Sequence, residues 1–266
     1  KELGLNGKKD IEAMGVEAFN TKCRESVFRY TKDWELLLKR IARWVDFNDS
    51  YATLDNDYME SIWWVFKQIW LKEMVYQGYK SMHICPRCET PLSNFEVSQG
   101  YKDVTDLSVY AKFKLLDEDV YILAWTTTPW SLPGNTALCF GPKITYVKVG
   151  VRYDNGKEEI YIVAKDLVEK IFGRNDAADH DARGYSYNVL EEVNAKEMEG
   201  REYEPLFDYY LSMKGSTGYR IVLDDYVTTE DGTGVVHSAP MFGEEDYRVA
   251  QKYNLPLVQH VGMDGN

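Results

Sequence analysis

The spacing of apolar residues changes near residue 80, and this change limits the structures that the chain can form. Before residue 80, apolar residues recur at steps of three and four, as on one face of a helix. One predicted helix carries Met59, Ile62, Trp63, Phe66, Ile69, Trp70 and Met74, and an earlier one carries Val27, Leu37, Leu38, Ile41, Trp44 and Val45. Residues 1–82 are therefore predicted to form a helical segment.

After Gly78, apolar residues alternate with polar ones, beginning with Val109, Ala111, Phe113 and Leu115. This is the period of a half-buried strand. Further strands are predicted at 120–125, 144–149, 159–164, 219–223 and 234–237, and short helices near 165–172 and 243–253. Strands at irregular spacing with few helices favour a mixed α/β fold, a small β-barrel-like domain with peripheral helices, over a doubly wound sheet. This domain is predicted to span residues 83–266.

Charge and cysteine content narrow the class of protein. The 31 Lys and Arg residues against 43 Asp and Glu residues give a net charge of −12. That charge argues against a general nucleic-acid coat, because phosphate affinity comes from Lys and Arg, although one groove could still bind a nucleic acid. Four scattered cysteines in 266 residues indicate a reducing compartment and no disulfide framework. No apolar run approaches the about 20 residues that cross a membrane.

Two segments could suggest a metal site. Residues 46–57 resemble a calcium loop but lack its central glycine and terminal glutamate, so a capped loop is predicted instead. Cys85 and Cys88 have the spacing of half a zinc site, and His83 lies two residues before Cys85. A structural zinc needs four ligands. Because no second pair is present, two ordinary cysteines flanking a turn are favoured, and zinc stays an open alternative.

The first motif with chemical meaning is Trp-Thr-Thr-Thr-Pro-Trp-Ser-Leu-Pro-Gly-Asn at 125–135. Three β-branched hydroxyl residues end a predicted strand, and a proline then interrupts the hydrogen-bond ladder. Backbone groups and hydroxyls beyond that point are free to face a ligand. An edge strand that ends in a proline-rich loop would explain the same residues without a ligand.

The second motif, at 232–247, begins with Gly-Thr-Gly, which is followed by a short predicted strand that contains His237. It ends with acidic residues at the start of a predicted helix. Negative charge is favourable at that end of a helix, so Asp246 could be a cap, and His237 could be a core histidine. As a set, the residues of this motif put an imidazole and a carboxylate at the rim of the same sheet. Nucleophile-elbow, phosphate-loop and His-Glu-x-x-His motifs are absent from the sequence, which removes support for those chemistries.

These two motifs resemble the editing domain of isoleucyl-tRNA synthetase, which is inserted between the halves of the catalytic core. Thr-Thr-Thr-Pro-Trp at 126–130 is similar to the isoleucyl form, whereas valyl and leucyl relatives carry Thr-Thr-Arg-Pro. Segments 20–24 and 63–67 resemble the same synthetase just before the insertion, in a form closer to eukaryotic cytosolic enzymes. The chain, which starts at Lys1 without a leader and stops early for this family, is expected to be a piece of a longer protein.

The resemblance implies a role for each matching residue. Asp246 would pair with the α-ammonium group of the substrate. Thr126, Thr127 and Thr128 would contact the aminoacyl group and the terminal adenosine and help to place water. Asn135 matches an asparagine that is important for editing.

Five further residues are implied to bind substrate. His237 and Ser131 would line the side-chain pocket and make isoleucine too large, and Trp130 would contact the substrate nearby. Ser131 stands where threonine is frequent, which removes one methyl group and loosens the exclusion of isoleucine. Gly232 and Gly234 would shape the turn and let the adenosine approach closely.

The implied function is post-transfer editing: the hydrolysis of valine from mischarged tRNA(Ile). The His-Ile-Gly-His and Lys-Met-Ser-Lys-Ser signatures are absent, so no aminoacylation is expected. Editing would need no cofactor, because ATP and Mg²⁺ serve the catalytic core, which this chain lacks. The expected partners are the tRNA(Ile) acceptor end and the core of the full-length chain, in the cytoplasm and not at a membrane. A module that binds the acceptor end or an aminoacyl-adenosine without autonomous activity is the alternative.

Overall fold

The computed structural model describes residues 2–173, 184–213 and 217–266. By internal contacts, the chain divides into two compact units, Lys1–Tyr79 and Lys80–Asn266. Within the described residues, no helix is both long and apolar enough to cross a bilayer. The assignment of residues 83–266 to an editing domain stays a prediction.

The first unit is helical, as predicted. Its helices are α1 (Lys8–Met14), α2 (Val16–Val27), α3 (Thr31–Arg40) and α4 (Asn56–Leu71). None of the described residues of these helices is buried, and Trp63 in α4 is 70% exposed.

Two of these helices end earlier than the apolar periodicity predicts. Ala42 and Glu73, just beyond α3 and α4, adopt φ angles of +58° and +56°. A left-handed residue after the last turn lets following N–H groups bond back to the final carbonyls and stops the helix. Arg43 N accordingly donates to Leu38 O at 3.0 Å. Trp44, expected to belong to the helix, is 92% exposed in the loop.

The second unit contains ten strands and four helices among its described residues. The strands are β1 (Ile84–Cys85), β2 (Thr90–Pro91), β3 (Val109–Lys114), β4 (Tyr121–Thr126), β5 (Ala137–Phe140), β6 (Thr145–Tyr153), β7 (Glu158–Ala164), β8 (Tyr185–Asn194), β9 (Arg220–Leu223) and β10 (Val235–Ser238). The helices are α5 (Asn94–Gln99), α6 (Val168–Phe172), α7 (Ala195–Met198) and α8 (Glu244–Tyr253). Short 3-10 turns cover Pro129–Gly134, Lys165–Leu167 and Leu211–Met213.

Two larger sheets form the core of this unit. One has the order β3-β4-β7-β6-β8, and the other has the order β10-β5-β9. Neighbouring pairs are antiparallel except β4 with β7 and β5 with β9, which are parallel. Apolar side chains of both sheets meet in one cluster, which includes Phe113, Ile122, Leu138 and Ile221.

Hydrogen bonds connect both edges of the three-stranded sheet to the five-stranded sheet, which gives a barrel-like arrangement. Leu115 after β3 bridges to Tyr203, and Glu202 bridges to Arg220 of β9. On the other side, Thr233, just before β10, donates from its hydroxyl to Leu123 O in β4 at 2.6 Å. The mixed α/β, barrel-like fold with peripheral helices is therefore confirmed. β1, β2, β5, β8, α5 and α7 were not predicted from the sequence.

Candidate functional site

Two chain segments meet at the rim of the core. The first leaves β4 at Thr126 and turns through Pro129–Gly134, and the second leaves β10 at Ser238 and enters α8. Hydroxyl groups fix the first turn, because Thr128 N donates to Thr126 Oγ1 at 3.0 Å. The proline that follows cannot donate to a ladder, so the strand ends there.

The two segments enclose a cavity of about 200 Å³, called the rim cavity below. Its lining comprises Trp125, Thr126, Thr128, Trp130, Ser131, Val236, His237, Ala239, Phe242 and Asp246. Six of the ten residues predicted to form the site therefore lie together. Asp246, Thr126 and Thr128 line this one cavity, whereas Thr127 does not.

A second cavity of about 330 Å³, the adjoining cavity, contains three more predicted residues: Thr127, Gly232 and Gly234. Trp125, Thr126 and Val236 line both cavities. Gly232 has a φ of +75°, and a Cβ at this position would lie 3.2 Å from the Trp125 ring. Backbone of this conformation favours glycine, so the turn can pass close to the indole.

His237 is held from both ring nitrogens. Its Nε2 lies 2.9 Å from Ser131 Oγ, and its Nδ1 lies 3.4 Å from Asn135 Nδ2. Burial lowers the pKa of His237 to about 4, so the ring is neutral at physiological pH. With both nitrogens in hydrogen-bond contacts, the neutral ring has no free nitrogen to act as a base.

Asn135 is the one predicted site residue that lines neither cavity. Its side chain is buried and donates to Ala137 O at 2.9 Å. Its Oδ1 accepts a hydrogen bond from the Tyr203 hydroxyl at 2.7 Å. Asn135 therefore lies behind His237, where it contacts the imidazole and not the cavity.

Asp246 lies in the first turn of α8 and lines the rim cavity. A Cβ on Gly243 would lie 2.2 Å from Asp246 Oδ2, so a side chain at this position would make the carboxylate shift. Burial raises the pKa of Asp246 to about 6, and the hydrogen bond from the Tyr226 hydroxyl opposes this rise. At neutral pH the group is a partly desolvated anion, which is a strong partner for a cation.

Tyr226 was missed by the sequence analysis. Its hydroxyl donates to Asp246 Oδ1 at 3.4 Å, and the residue also lines the adjoining cavity. The residue follows Asp224 and Asp225 in a polar stretch, and no local pattern marks it as part of the site. Phe242 was also missed, although it lies inside the second motif; it packs edge-on against Trp130 at 5.3 Å.

Cys85 and Cys88 lie at the two ends of a turn between β1 and β2, as predicted. Hydrogen bonds to the backbone of Cys88 and Arg87 lower the pKa of the Cys85 thiol. The part of the chain that the structure describes contains no group of three or more His, Cys, Asp or Glu side chains that could hold a metal ion.

Comparison with known proteins decides the family. Residues 1–251 match the family model described as tRNA synthetases class I (I, L, M and V). The chain belongs to this family. It is 47% identical over its whole length to isoleucine–tRNA ligase from Clostridium kluyveri, where it covers 24% of the relative. It is 41% identical over 96% of its length to the cytoplasmic isoleucine–tRNA ligase of Mus musculus, covering 19% of that protein.

The chain thus spans about a quarter of the length of its synthetase relatives. The resemblance to isoleucyl-tRNA synthetases is confirmed, and the relatives include both bacterial and eukaryotic cytoplasmic enzymes. Among solved structures, the Plasmodium knowlesi cytosolic leucyl-tRNA synthetase editing domain matches 58% of this chain and 66% of its own at 12% identity, with a TM-score of 0.42. The structure described as GlLeuRS-CP1 matches 57% of this chain and 66% of its own at 17% identity, with a TM-score of 0.39.

Proposed function

We propose that this chain is a post-transfer editing hydrolase that removes valine from mischarged tRNA(Ile). One observation carries the proposal: the Asp246 carboxyl group and the hydroxyls of Thr126 and Thr128 line the same cavity of about 200 Å³. An anion and a set of hydroxyls around a small space are what the recognition of an aminoacyl ester requires.

The carboxylate would recognise the free α-ammonium group of the aminoacyl ester. A charge-assisted hydrogen bond between these groups is about twice as strong as a neutral one. Because Asp246 is partly desolvated, the pair would be stronger than on an open surface. This contact would let the site distinguish an aminoacyl ester from an ester that has no amino group.

His237 and Ser131 would limit the size of the acyl side chain. Both are buried, and their mutual hydrogen bond fixes the wall between them. At one hydrophobic site, a difference of one methylene group gives only about 10–200-fold discrimination. A second site that admits valine and excludes isoleucine would add the discrimination that the aminoacylation site lacks.

The hydrolysis would proceed without a covalent protein intermediate. Water would attack the acyl carbon, the ester bond to the ribose oxygen would break, and the proton lost by water would pass to that leaving oxygen. The backbone N–H of Thr128 already donates to Thr126 Oγ1 and is not free to bind substrate. The groups left to contact the water or the ester carbonyl are therefore the hydroxyls of Thr126 and Thr128. Holding water and ester in line would supply most of the acceleration.

The adjoining cavity would receive the terminal adenosine of the tRNA. Thr127, Gly232 and Gly234 line it, and the bare glycines let the nucleoside approach the backbone. The partner would be the acceptor end of tRNA(Ile), with the rest of the synthetase chain supplying aminoacylation. ATP and Mg²⁺ would act there and not in editing, and the cytoplasm is the proposed location.

The test compares two neighbouring acidic residues of α8. Asp246→Ala should abolish deacylation of valyl-tRNA(Ile), whereas Glu245→Ala should retain it, because Glu245 is exposed and lines neither cavity. The measurement is release of labelled valine under single-turnover conditions. Equal rates for the two variants would reject the role of Asp246.

A module that binds without turnover is the second candidate, favoured by the net charge of −12, which leaves little attraction for a whole tRNA. Calorimetry with a non-hydrolysable valyl-adenosine analogue separates the candidates. Binding that Asp246→Ala abolishes, with no valine release at high enzyme concentration, would support the binding module and reject autonomous hydrolysis.

A further inference from the structure

A line of hydrogen bonds runs from the core of the second unit to the rim cavity. The Tyr203 hydroxyl donates to Asn135 Oδ1 at 2.7 Å, and Asn135 Nδ2 lies 3.4 Å from His237 Nδ1. His237 Nε2 lies 2.9 Å from Ser131 Oγ, and Ser131 donates to Thr128 O at 2.7 Å. His237, Ser131 and Thr128 line the cavity, whereas Tyr203 and Asn135 do not.

The direction of these bonds determines which nitrogen of His237 carries the proton. The Asn135 amide nitrogen can only donate, so His237 Nδ1 accepts from it and carries no proton. The neutral ring therefore carries its proton on Nε2 and donates it to Ser131 Oγ. The single hydroxyl hydrogen of Ser131 is then left for Thr128 O.

The orientation of the Asn135 amide is fixed from two sides. Its Nδ2 faces the carbonyl of Ala137 at 2.9 Å, and its Oδ1 faces the hydroxyl of Tyr203. A flipped amide would turn Oδ1 towards two carbonyl acceptors, Ala137 O and Ser238 O. Because these groups are buried, each lost hydrogen bond would carry a desolvation penalty.

The Tyr203 hydroxyl is a hydrogen-bond donor that does not ionise at physiological pH. Its side chain is fully buried, and burial raises the pKa of its phenol well above the usual value, so the hydroxyl keeps its hydrogen. The ring packs edge-on against Phe113 at 5.3 Å and Tyr219 at 6.2 Å. The phenol oxygen therefore has little freedom to move away from Asn135.

We propose that Tyr203 is a positioning residue of this site: through Asn135, it holds His237 as the neutral Nε2–H tautomer. With both nitrogens engaged, His237 forms a fixed wall of the cavity and does not take a proton from the attacking water. The consequence for discrimination between valine and isoleucine rests on the proposed function, whereas the tautomer itself does not.

The tautomer can be measured without any activity. In the chain labelled with ¹⁵N-histidine, long-range proton–nitrogen spectra report which ring nitrogen is protonated, and only four histidines are present. The His237 signals are assigned by their loss in His237→Asn. We expect a protonated Nε2 and a bare Nδ1 from pH 8 to pH 6. A protonated Nδ1, or a mixture of tautomers in the unaltered chain, would overturn the proposal.

Tyr203→Phe removes only the hydroxyl and keeps the packing of the ring. It should shift the His237 Nδ1 signal and introduce the second tautomer. Tyr219→Phe is the matched control, because the hydroxyl of this buried tyrosine donates to Tyr210 O at 3.2 Å and takes no part in the line of hydrogen bonds from Tyr203 to Thr128. If Tyr203→Phe does not fold, Asn135→Ala breaks the same line one step later. If the His237 signals of Tyr203→Phe and Asn135→Ala match those of the unaltered chain, this line of hydrogen bonds does not hold the tautomer and the proposal is rejected.

Deacylation supplies a second readout. Tyr203→Phe should reduce the preference for valyl- over isoleucyl-tRNA(Ile) on the order of tenfold, because a released ring no longer holds the wall in place. Tyr219→Phe should keep the preference. A Tyr203→Phe variant whose His237 tautomer changes while its preference is kept would reject the positioning role. If the unaltered chain shows the expected tautomer but hydrolyses neither ester, the proposed function fails and the assignment of the tautomer stands.

Discussion

His237 Nε2 lies 2.9 Å from the hydroxyl oxygen of Ser131, although 106 positions separate the two residues in the chain. Ser131 is 3% exposed and His237 is 7% exposed, and both line the rim cavity. Protein interiors are close-packed, so neighbouring side chains cannot absorb an added methyl group without cost. The volume open to an acyl side chain therefore depends on which small residue stands at position 131.

Replacing Ser131 by threonine should make the cavity more selective. Ser131→Thr keeps the hydroxyl that bonds His237 and adds a methyl group to the wall. We expect hydrolysis of isoleucyl-tRNA(Ile) to fall roughly tenfold relative to that of valyl-tRNA(Ile), the effect of about one methylene at a pocket. The measurement is the ratio of kcat/KM for the two esters.

Ser131→Ala is the control for this change, because it removes the hydroxyl without adding volume. It should leave His237 Nε2 without its acceptor and increase the relative hydrolysis of isoleucyl-tRNA(Ile). An unchanged ratio in Ser131→Thr would show that the acyl side chain does not reach this wall.

Sequence reasoning located most of the site because its residues belong to two continuous motifs. Thr126 is the last residue of β4, and His237 is the last but one of β10. Thr128, Ser131 and Asp246 follow these strand ends, where the chain leaves the sheet and side chains can converge. Tyr203 and Tyr226 were not found, since they reach the site from other parts of the chain. Their contribution is a single hydroxyl, which no local periodicity reveals.

Alternating burial is one signal that locates a strand, although β9 and β10 were predicted with almost every residue buried. β3 alternates between buried and exposed residues and was found, whereas all four residues of β5 are buried, so β5 has no alternation. Five successive residues of β8 are exposed, which also removes the signal. α5 has a local signal that was overlooked: Ser93 and Glu96 form a reciprocal capping box.

The pH dependence of editing should follow Asp246. Burial raises its pKa to about 6, so the carboxylate that would pair with the ammonium group is lost as the pH falls through 6. We expect kcat/KM for valyl-tRNA(Ile) to fall about tenfold for each pH unit below 6. Tyr226→Phe removes a donor to this carboxylate and should move the profile to higher pH. A profile that stays flat down to pH 5 would contradict this assignment.

The same shift has a consequence for stability. The pKa of Asp246 is higher in the folded state than the unfolded value of 3.8, so the folded state binds the proton more tightly. The ionised carboxylate therefore destabilises the fold. This cost grows from pH 4 to pH 6 and is complete above pH 6. Asp246→Asn should therefore raise the free energy of unfolding at pH 7 by ~1–2 kcal/mol, allowing for partial exposure, and by less at pH 4. Urea denaturation at both pH values measures this, with Glu245→Gln as the control.

Glu159 should have the opposite effect on stability. Burial alone would raise its pKa, but hydrogen bonds from Tyr161, Lys157 and Lys112 outweigh it and lower the pKa to about 2. A lowered carboxyl pKa contributes stability that is present above about pH 4.5 and is lost as the pH falls towards 2. Glu159→Gln should reduce the free energy of unfolding at pH 7 by about 2–3 kcal/mol, with a smaller difference near pH 3.

Glu158→Gln is the neighbouring control for this ion-pair cluster. Glu158 pairs with Arg152 on the surface, where both side chains are more than half exposed. Exposed pairs contribute about 0–1 kcal/mol. Equal losses of stability for the two variants in denaturant titrations would mean that the buried cluster around Glu159 does not stabilise the fold.

Gly234 should tolerate no side chain, because both its conformation and its surroundings forbid one. Its φ is +74°, and a Cβ would lie 2.4 Å from Ala164 Cβ. The backbone cannot retreat easily, since the buried Tyr146 hydroxyl donates to Gly234 O at 2.6 Å. Gly234→Ala should cost about 1–2 kcal/mol for the backbone conformation and a further 1–3 kcal/mol for overpacking.

Two variants separate these contributions. Gly156→Ala has a similar φ of +84° with no atom within 4 Å of the added Cβ, so it should show the conformational cost alone. Ala164→Gly combined with Gly234→Ala removes the overlapping Cβ and should recover the packing part of the loss. The free energy of unfolding from urea titration measures all three. If Gly234→Ala costs no more than Gly156→Ala, the close approach of Gly234 to β7 does not constrain this turn.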